Sequence, residues 1–205
     1  MKIVGVTGGS GTGKTAVCRE FEKLGAYIVD ADQTARKVVQ PGSPVLKDII
    51  LEFGKEYANE DGTLNRRKLA QTVFSDESRR LRLNAIMHPA IVNEMLTEAQ
   101  TALLNPQYKL VCLDAPLLIE GGLLPYCDSV VVVLAPKEDR IKRIMARDSL
   151  TEEEAAARID SQPEDAFYLD RVTYGLSLKN NKSETELLSE ARKIFQKLTG
   201  DCIGS

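Results

Sequence analysis

Hydrophobic residues form four short, nearly continuous runs along the chain, which alternate with longer amphipathic segments. The runs lie at residues 3–6, 26–29, 110–113 and 130–134. Strands that are apolar on both faces are typical of a parallel sheet with helices on each side. The pattern therefore predicts a three-layer α/β fold in which the last and most β-branched run is a central strand.

A fifth segment, residues 172–178, alternates instead of being continuous. Its larger apolar side chains would share one side of an extended chain, and they are Val172, Tyr174, Leu176 and Leu178. Alternation with a period of two residues is typical of a strand with one covered face. We therefore expect a half-exposed fifth strand, which completes a five-stranded parallel sheet.

The second and third runs are separated by a stretch that is far longer than one crossover helix requires. Residues 43–53 and 66–74 in this stretch have apolar positions at helical spacing, and the turn sequence Asp61-Gly62 lies between them. These features predict a helical subdomain inserted at residues 37–84. We expect the core to comprise residues 1–36, 85–136 and 166–205, and the highly charged residues 137–165 to form a helical lid.

The composition is that of an ordinary globular protein, since 43% of the 205 residues are hydrophobic and 28% are charged. The formal net charge of −3 is too small to indicate a nucleic-acid partner or an anionic membrane. No apolar stretch approaches the length of a membrane span, and the first residues do not resemble a signal peptide. The cysteines lack the paired spacing of zinc or redox sites, so we expect reduced thiols and a cytoplasmic location. They are Cys18, Cys112, Cys127 and Cys202.

Residues 8–15 read Gly-Gly-Ser-Gly-Thr-Gly-Lys-Thr and lie between a predicted strand and a predicted helix. Glycine-rich loops in this setting direct successive backbone N–H groups at phosphates. The lysine of the motif meets the β- and γ-phosphates of ATP, and the final hydroxyl binds Mg²⁺. We therefore predict Mg²⁺-dependent transfer of the γ-phosphate of ATP to a small hydroxyl-bearing acceptor. The predicted nucleotide-binding residues are Gly9, Ser10, Gly11, Thr12, Gly13, Lys14 and Thr15.

Carboxylates follow two of the predicted strands. Asp114 follows the third, where it could join the magnesium shell through water or simply form a turn. Asp30 and Asp32 follow the second, at the edge of the sheet where ligands bind in open α/β folds. One could accept the proton of the acceptor hydroxyl, and the other could cap the next helix. We favour Asp32 as the catalytic base and Asp30 as the cap.

Two groups of basic side chains are further candidates for ligand contacts. Arg140, Arg143 and Arg147 follow the fourth strand, and a helix would place them on one face. They could clamp a polyphosphate during transfer, or they could form an ordinary solvated face. His88, the only histidine, precedes a proline and is expected to cap a helix that starts at residue 89. Its alternative role is a substrate contact.

Taken together, these residues resemble the dephospho-coenzyme A kinase family, and the resemblance covers nearly the whole chain in order. The phosphate loop is common to many unrelated enzymes, but its combination with the motifs that follow is specific. Those motifs are Asp30-Ala31-Asp32 with Ala35-Arg36-Lys37-Val38-Val39, Pro41-Gly42, Asp61-Gly62-Thr63-Leu64 with Arg66, Leu69 and Phe74, His88-Pro89, Pro116-Leu117-Leu118 with Glu120, Arg143 with Arg147-Asp148, and Arg158-Ile159 with Gln162.

The resemblance implies transfer of phosphate from ATP to the ribose 3′-hydroxyl of dephospho-coenzyme A. It implies that Asp32 lies at the acceptor hydroxyl, that the insertion binds coenzyme A, and that Arg66 and His88 contact the acceptor. It also implies a lid whose arginines neutralise developing charge, and an asparagine turn near the adenine. The residues concerned are Arg143, Arg147 and Asn180.

Two alternative functions remain open at this stage. Another small P-loop kinase, acting on a nucleoside monophosphate or a polyol, would share every nucleotide-binding residue. A nucleotide-driven regulatory ATPase would act through a partner, and we disfavour it because the chain has no Asn-Lys-x-Asp guanine motif. The oligomeric state is not predicted.

Overall fold

The computed structural model describes residues 1–172 and 175–200. Within them, five strands form one sheet in the spatial order second, third, first, fourth, fifth. The first strand pairs in parallel with the third and the fourth, and the fourth pairs in parallel with the fifth. The predicted parallel α/β fold is confirmed. The strands are β1 (Ile3–Thr7), β2 (Ala26–Asp30), β3 (Leu110–Asp114), β4 (Ser129–Leu134) and β5 (Gly175–Lys179).

The alternating segment forms the edge strand β5, as its pattern predicts. Leu178 is buried and Leu176 packs against the core, whereas Ser177 and Lys179 are exposed. One side of the strand is therefore covered by the core, and the other is exposed. Tyr174, which belongs to the same predicted segment, lies outside the described residues.

Helices connect the strands and cover the sheet. Phe21 and Phe195, on two of these helices, meet edge to face with ring centroids 5.4 Å apart, in one core with Val6 and Val131. Short 3-10 helices occur at Lys55–Tyr57 and Leu124–Tyr126. The α-helices of the described residues are α1 (Lys14–Lys23), α2 (Ala31–Lys37), α3 (Pro44–Phe53), α4 (Arg66–Ser75), α5 (Glu77–Leu103), α6 (Lys137–Asp148), α7 (Glu152–Asp160), α8 (Asp165–Arg171) and α9 (Glu184–Thr199).

The chain divides into two compact units, one made of Met1–Val29 with Ala99 onward and the other of Asp30–Glu98. The second unit has a hydrophobic core of its own, which includes Ile49 and Tyr57. The Tyr57 hydroxyl also lies 2.9 Å from that of Thr72, so one aromatic side chain serves both packing and hydrogen bonding. The boundaries expected from the sequence, with an insertion at residues 37–84, stay a prediction.

Helices α6 and α7 pack on each other in the first unit, within the segment predicted to be a lid. Their contact is apolar and includes Ile144, Ala155 and Ile159. Helix α6 ends at Asp148, and the left-handed φ of 55° at the next residue, Ser149, turns the chain. Thr151 then caps the start of α7 with a capping box. Such a box satisfies backbone N–H groups at the helix start. The pair is therefore a well-defined helical hairpin.

The long helix α5 corrects one prediction. His88 does not cap a helix, because α5 continues through it and Pro89 lies in the helix interior. Proline there has no N–H to donate to the carbonyl of Ala85 and costs about 3 kcal/mol. Apolar packing on both sides of Pro89 opposes that cost, since Met95 is fully buried, which is worth about 2 kcal/mol, and Met87 packs partly buried against the core of the second unit.

Candidate active site

The phosphate-binding loop connects β1 to α1, and two of its positions require glycine. Gly8 has a φ of 139°, and a Cβ placed on it would lie 2.2 Å from the carbonyl oxygen of Val133. Gly13 has a φ of 104°, and a Cβ there would lie 2.5 Å from Nδ2 of Asn180. Residues with a side chain rarely adopt these backbone conformations, and both contacts would be clashes. Backbone geometry thus explains the glycines of the motif.

Side chains from α6 and from the turn after β5 hold consecutive carbonyl groups of the loop. In a trans peptide the C=O and the next N–H point in opposite directions. Each bond to a carbonyl therefore turns the following N–H toward the other side of the loop, which is the arrangement a phosphate cradle needs. The bonds are Arg140 Nε to Ser10 O (2.9 Å), Arg143 Nη1 to Gly11 O (3.1 Å) and Asn180 Nδ2 to Thr12 O (2.8 Å).

The three arginines predicted to share one helix face bind two different kinds of partner. Arg140 is buried and, like Arg143, donates to the loop, so neither belongs to an ordinary solvated face. Arg143 also donates to Oδ1 of Asn180 at 3.2 Å. Arg147 instead donates through Nε and Nη2 to the carboxylate of Asp148, at 2.8 Å each. Two of the three arginines thus brace the loop directly.

Lys14 is held inside the loop. Its Nζ donates to the carbonyl oxygens of Gly8 at 2.6 Å and Gly9 at 3.1 Å. Burial lowers the pKa of Lys14, the negative charge of Asp114 opposes this shift, and the positive charge of Arg140 adds to it. An anion bound in the loop would relieve the repulsion among these cations. The electrostatics of the loop therefore favour a phosphate group.

Thr15 and Asp114 are the two residues predicted to serve Mg²⁺. Thr15 follows Lys14 in the first turn of α1 and is exposed, while Asp114 ends β3 close enough for its charge to act on Lys14. A hydroxyl and a water-linked carboxylate suit Mg²⁺, which keeps several waters and binds substrate phosphates. Among the described residues, no group of three or more His, Cys, Asp or Glu side chains could hold a metal. The residues present fit an ion bound chiefly through the nucleotide.

The two acids after β2 have different surroundings. Oδ1 of Asp30 accepts the backbone N–H groups of Asp32 at 2.8 Å and Gln33 at 3.1 Å, so Asp30 is the N-cap of α2, as predicted. Asp32 lies in the first turn of that helix, and its side chain is exposed. Its carboxylate is accessible to a ligand, and its role as a base stays a prediction.

Arg66 begins α4 and has a second arginine beside it. Its Nη2 donates to the backbone carbonyl of Arg36 at 3.3 Å. Burial and then the positive charge of Arg36 lower the pKa of Arg66. Two neighbouring guanidiniums attract an anionic group, so Arg36, noted before only as part of the resemblance, is a further candidate. His88 is half-buried within α5, and its contact with the acceptor stays a prediction.

Comparison with known proteins places the chain in a family. The sequence profile described as dephospho-CoA kinase matches residues 2–185. The dephospho-CoA kinase of Listeria monocytogenes is 45% identical over 161 residues, which are 78% of this chain and 80% of that one. The chain belongs to the dephospho-CoA kinase family. A crystal structure of a Thermus thermophilus protein matches this family member with a TM-score of 0.77 and 33% identity, over 99% of this chain and 98% of that one.

The fold extends beyond the dephospho-CoA kinase family. Shikimate kinase from Acinetobacter baumannii, solved with shikimate, matches with a TM-score of 0.55 and 18% identity, over 100% of this chain and 96% of that one. This likeness concerns the fold alone. The structural likenesses confirm the predicted P-loop fold, and the family match confirms the predicted kinase class and nucleotide substrate. Within the described ranges, no helix has the length and apolarity needed to cross a membrane.

Sequence reasoning missed two side-chain roles in this kinase. Gln162, noted only as part of the resemblance, bonds Ser10 through both ends of its amide. Asp148 accepts hydrogen bonds from both Arg147 and Arg158, and the bond from Arg147 is the main cause that lowers the pKa of Asp148 to about 2. Gln162 and Ser10 are 152 positions apart in the sequence. Neither motif spacing nor local propensity could therefore have indicated their contact.

Proposed function

We propose that this chain transfers the γ-phosphoryl group of ATP to the ribose 3′-hydroxyl of dephospho-CoA, giving CoA and ADP. The observation that carries this proposal is the family match over residues 2–185. The matched region contains both the phosphate-binding loop and the whole unit Asp30–Glu98. The family match therefore includes the candidate residues for both donor and acceptor.

On the donor side, backbone N–H groups of the loop bind the phosphates, except that of Ser10, which donates to Gln162. Lys14, held by the Gly8 and Gly9 carbonyls, has a third N–H with which it binds the β- and γ-phosphates. Thr15, and Asp114 through water, would hold Mg²⁺, which when bound neutralises charge on the terminal phosphates. Asn180 serves the adenine end of the nucleotide. That role stays a prediction from the sequence, because the buried Asn180 side chain donates to the Thr12 carbonyl of the phosphate loop.

Arg143 and Arg147 neutralise the charge that shifts toward ADP during transfer. The bond from Arg143 to Gly11 supports its part, because that bond anchors the guanidinium next to the loop. Arg147 lies one turn further along α6, and its positive charge acts on Lys14. To reach a phosphate oxygen, Arg147 would exchange its partner Asp148 for the nucleotide.

On the acceptor side, Asp32 accepts the proton of the 3′-hydroxyl as the bond from that oxygen to the γ-phosphorus forms. The bond between the γ-phosphorus and the bridging oxygen of ADP breaks in the same transfer. Arg66, with Arg36 beside it, binds the diphosphate of dephospho-CoA. His88 is the further candidate contact. The exposure of Asp32 and the paired guanidiniums support these roles.

Further parts of the assignment stay predictions from the sequence. They are coenzyme A binding by an insertion at residues 37–84, a lid at residues 137–165, a cytoplasmic location, and the absence of nucleic-acid partners.

An ADP-release assay with a panel of acceptors tests the proposal. We expect turnover with dephospho-CoA and a product heavier by one phosphoryl group, which phosphorus NMR should locate on the 3′-oxygen of the ribose. AMP, gluconate and an acceptor-free reaction serve as comparisons. Turnover with AMP or gluconate but not with dephospho-CoA would indicate a kinase with a different acceptor. Equal ADP release with and without every acceptor would contradict phosphoryl transfer.

A further inference from the structure

Ser10, at the tip of the phosphate-binding loop, is held from outside by Gln162. The Ser10 N–H donates to Oε1 of Gln162 at 2.8 Å, and Nε2 of Gln162 donates to the Ser10 hydroxyl at 2.8 Å. Nη2 of Arg140 donates to the same Oε1 at 3.3 Å, and Arg140 is only 6% exposed. The two residues thus form a reciprocal pair, braced by a buried guanidinium.

This pair sets the direction of the peptide between Gly9 and Ser10. Because the N–H and C=O of a trans peptide point in opposite directions, binding of the Ser10 N–H turns the Gly9 carbonyl to the other side of the loop. There the carbonyl accepts the Thr12 hydroxyl at 2.9 Å and Nζ of Lys14 at 3.1 Å. Gln162 therefore influences the position of Lys14 through the Gly9 carbonyl.

Gln162 comes from outside the loop, at the end of the α6–α7 hairpin. Its backbone N–H donates to the carbonyl of Ile159 at 3.0 Å, which fixes it to the last turn of α7. The side chain of Ile159 packs in turn against Ile144 of α6. A single amide side chain thus joins this hairpin to the tip of the phosphate cradle.

We propose that Gln162 is a positioning residue for ATP, which preorganises the loop tip and the Lys14 ammonium before the nucleotide arrives. It acts through Ser10 and Gly9 rather than on the reacting atoms. Preformed geometry of this kind strengthens binding because less order has to be created when the ligand arrives. The inference rests on the proposed use of ATP as donor, but it does not depend on the identity of the acceptor.

Gln162→Met tests this role, because it keeps the side-chain length and removes both hydrogen bonds. We expect the Kd of MgADP, measured by calorimetry without acceptor, to rise roughly tenfold, and the KM for ATP to rise with it. The KM for dephospho-CoA should stay within about twofold. Gln100→Met, at an exposed glutamine of α5, is the matched control and should leave all three constants unchanged.

Ser10→Ala separates positioning from a general loss of stability. It removes only the hydroxyl partner of Gln162, and we expect the Kd of MgADP to rise about threefold. Both substitutions break the same pair, so the double variant should bind MgADP no more weakly than Gln162→Met alone. Independent effects would instead multiply to about thirtyfold.

An unchanged Kd for MgADP in Gln162→Met, or multiplied effects in the double variant, would overturn the proposal. A parallel rise in both KM values together with a lower melting temperature would also overturn it, since that result indicates a structural role only. ADP binding is measured without acceptor. Failure of dephospho-CoA as a substrate would therefore be distinguishable from failure of this inference.

Discussion

The nucleotide-binding unit and the unit Asp30–Glu98 hold their candidate residues in different ways. In the first, bonds to the phosphate loop join residues that are far apart in the sequence, such as Asn180 and Thr12. In the second, the bonds next to Asp32 are those of a local helix cap, and Asp32 and Arg66 are exposed. Long-range bonds hold a site in one geometry before a ligand binds. The candidate donor site is therefore preorganised, whereas the candidate acceptor residues Asp32 and Arg66 are exposed.

This difference predicts distinct consequences of substitution. Changes in the phosphate loop should weaken both nucleotide binding and phosphoryl transfer, because the same groups serve both. Changes to exposed acceptor residues should alter kcat or the KM for the acceptor and leave ADP binding intact.

Lys14→Met should have the largest effect. The partly buried ammonium is lost from the place where the β- and γ-phosphates are proposed to bind, so we expect kcat/KM for ATP to fall by about 10³ or more. Steady-state kinetics measure this change. Lys23→Met, at the exposed far end of α1, is the control and should behave like the parent enzyme. A tenfold loss or less in Lys14→Met would mean that the loop is not the donor site.

Asp32→Asn should lower kcat by about 10², because the amide cannot accept the hydroxyl proton. Its Kd for MgADP should not change. Asp30→Asn is the matched comparison, since asparagine is as good an N-cap as aspartate and should preserve α2. Similar kcat values for the two variants would show that Asp32 is not the base and has only a structural role in the first turn of α2.

The strands and the phosphate loop were predictable because their sequence patterns are local. The continuous run in β4 and the alternation in β5 each specify how many faces of a strand are covered. The loop motif likewise includes the glycines that its positive φ angles require. For these parts, residues that are neighbours in sequence are also neighbours in the fold.

The partners of the loop were not predictable, since they come from distant parts of the chain. The spacing of Arg140 and Arg143 correctly indicated a shared helix face, but it could not indicate that they bind loop carbonyls. The role of Gln162 had no local sign at all. The predicted helix boundary at Pro89 was wrong, because apolar packing of α5 outweighs the tendency of proline to interrupt a helix.

Of the three substitutions, Arg66→Gln should have the smallest effect. It tests selectively whether the second unit binds the acceptor. Loss of one charge-assisted contact to the diphosphate should raise the KM for dephospho-CoA about tenfold. The Kd for MgADP should be unchanged. Stability should change little, because the substitution removes an exposed hydrogen bond from Arg66 to the Arg36 carbonyl and also the repulsion between the two guanidiniums.

Arg67→Gln provides a control at the next position of α4, where the arginine is also exposed. It removes the same charge from the unit, so any effect of net charge alone would appear equally in both variants. Added salt should raise the KM of the parent enzyme more than that of Arg66→Gln, because screening weakens a contact that the variant already lacks. A rise in the KM for ATP as large as that for dephospho-CoA would show that Arg66 also serves the nucleotide. The distinction between a preorganised donor site and exposed acceptor residues would then fail.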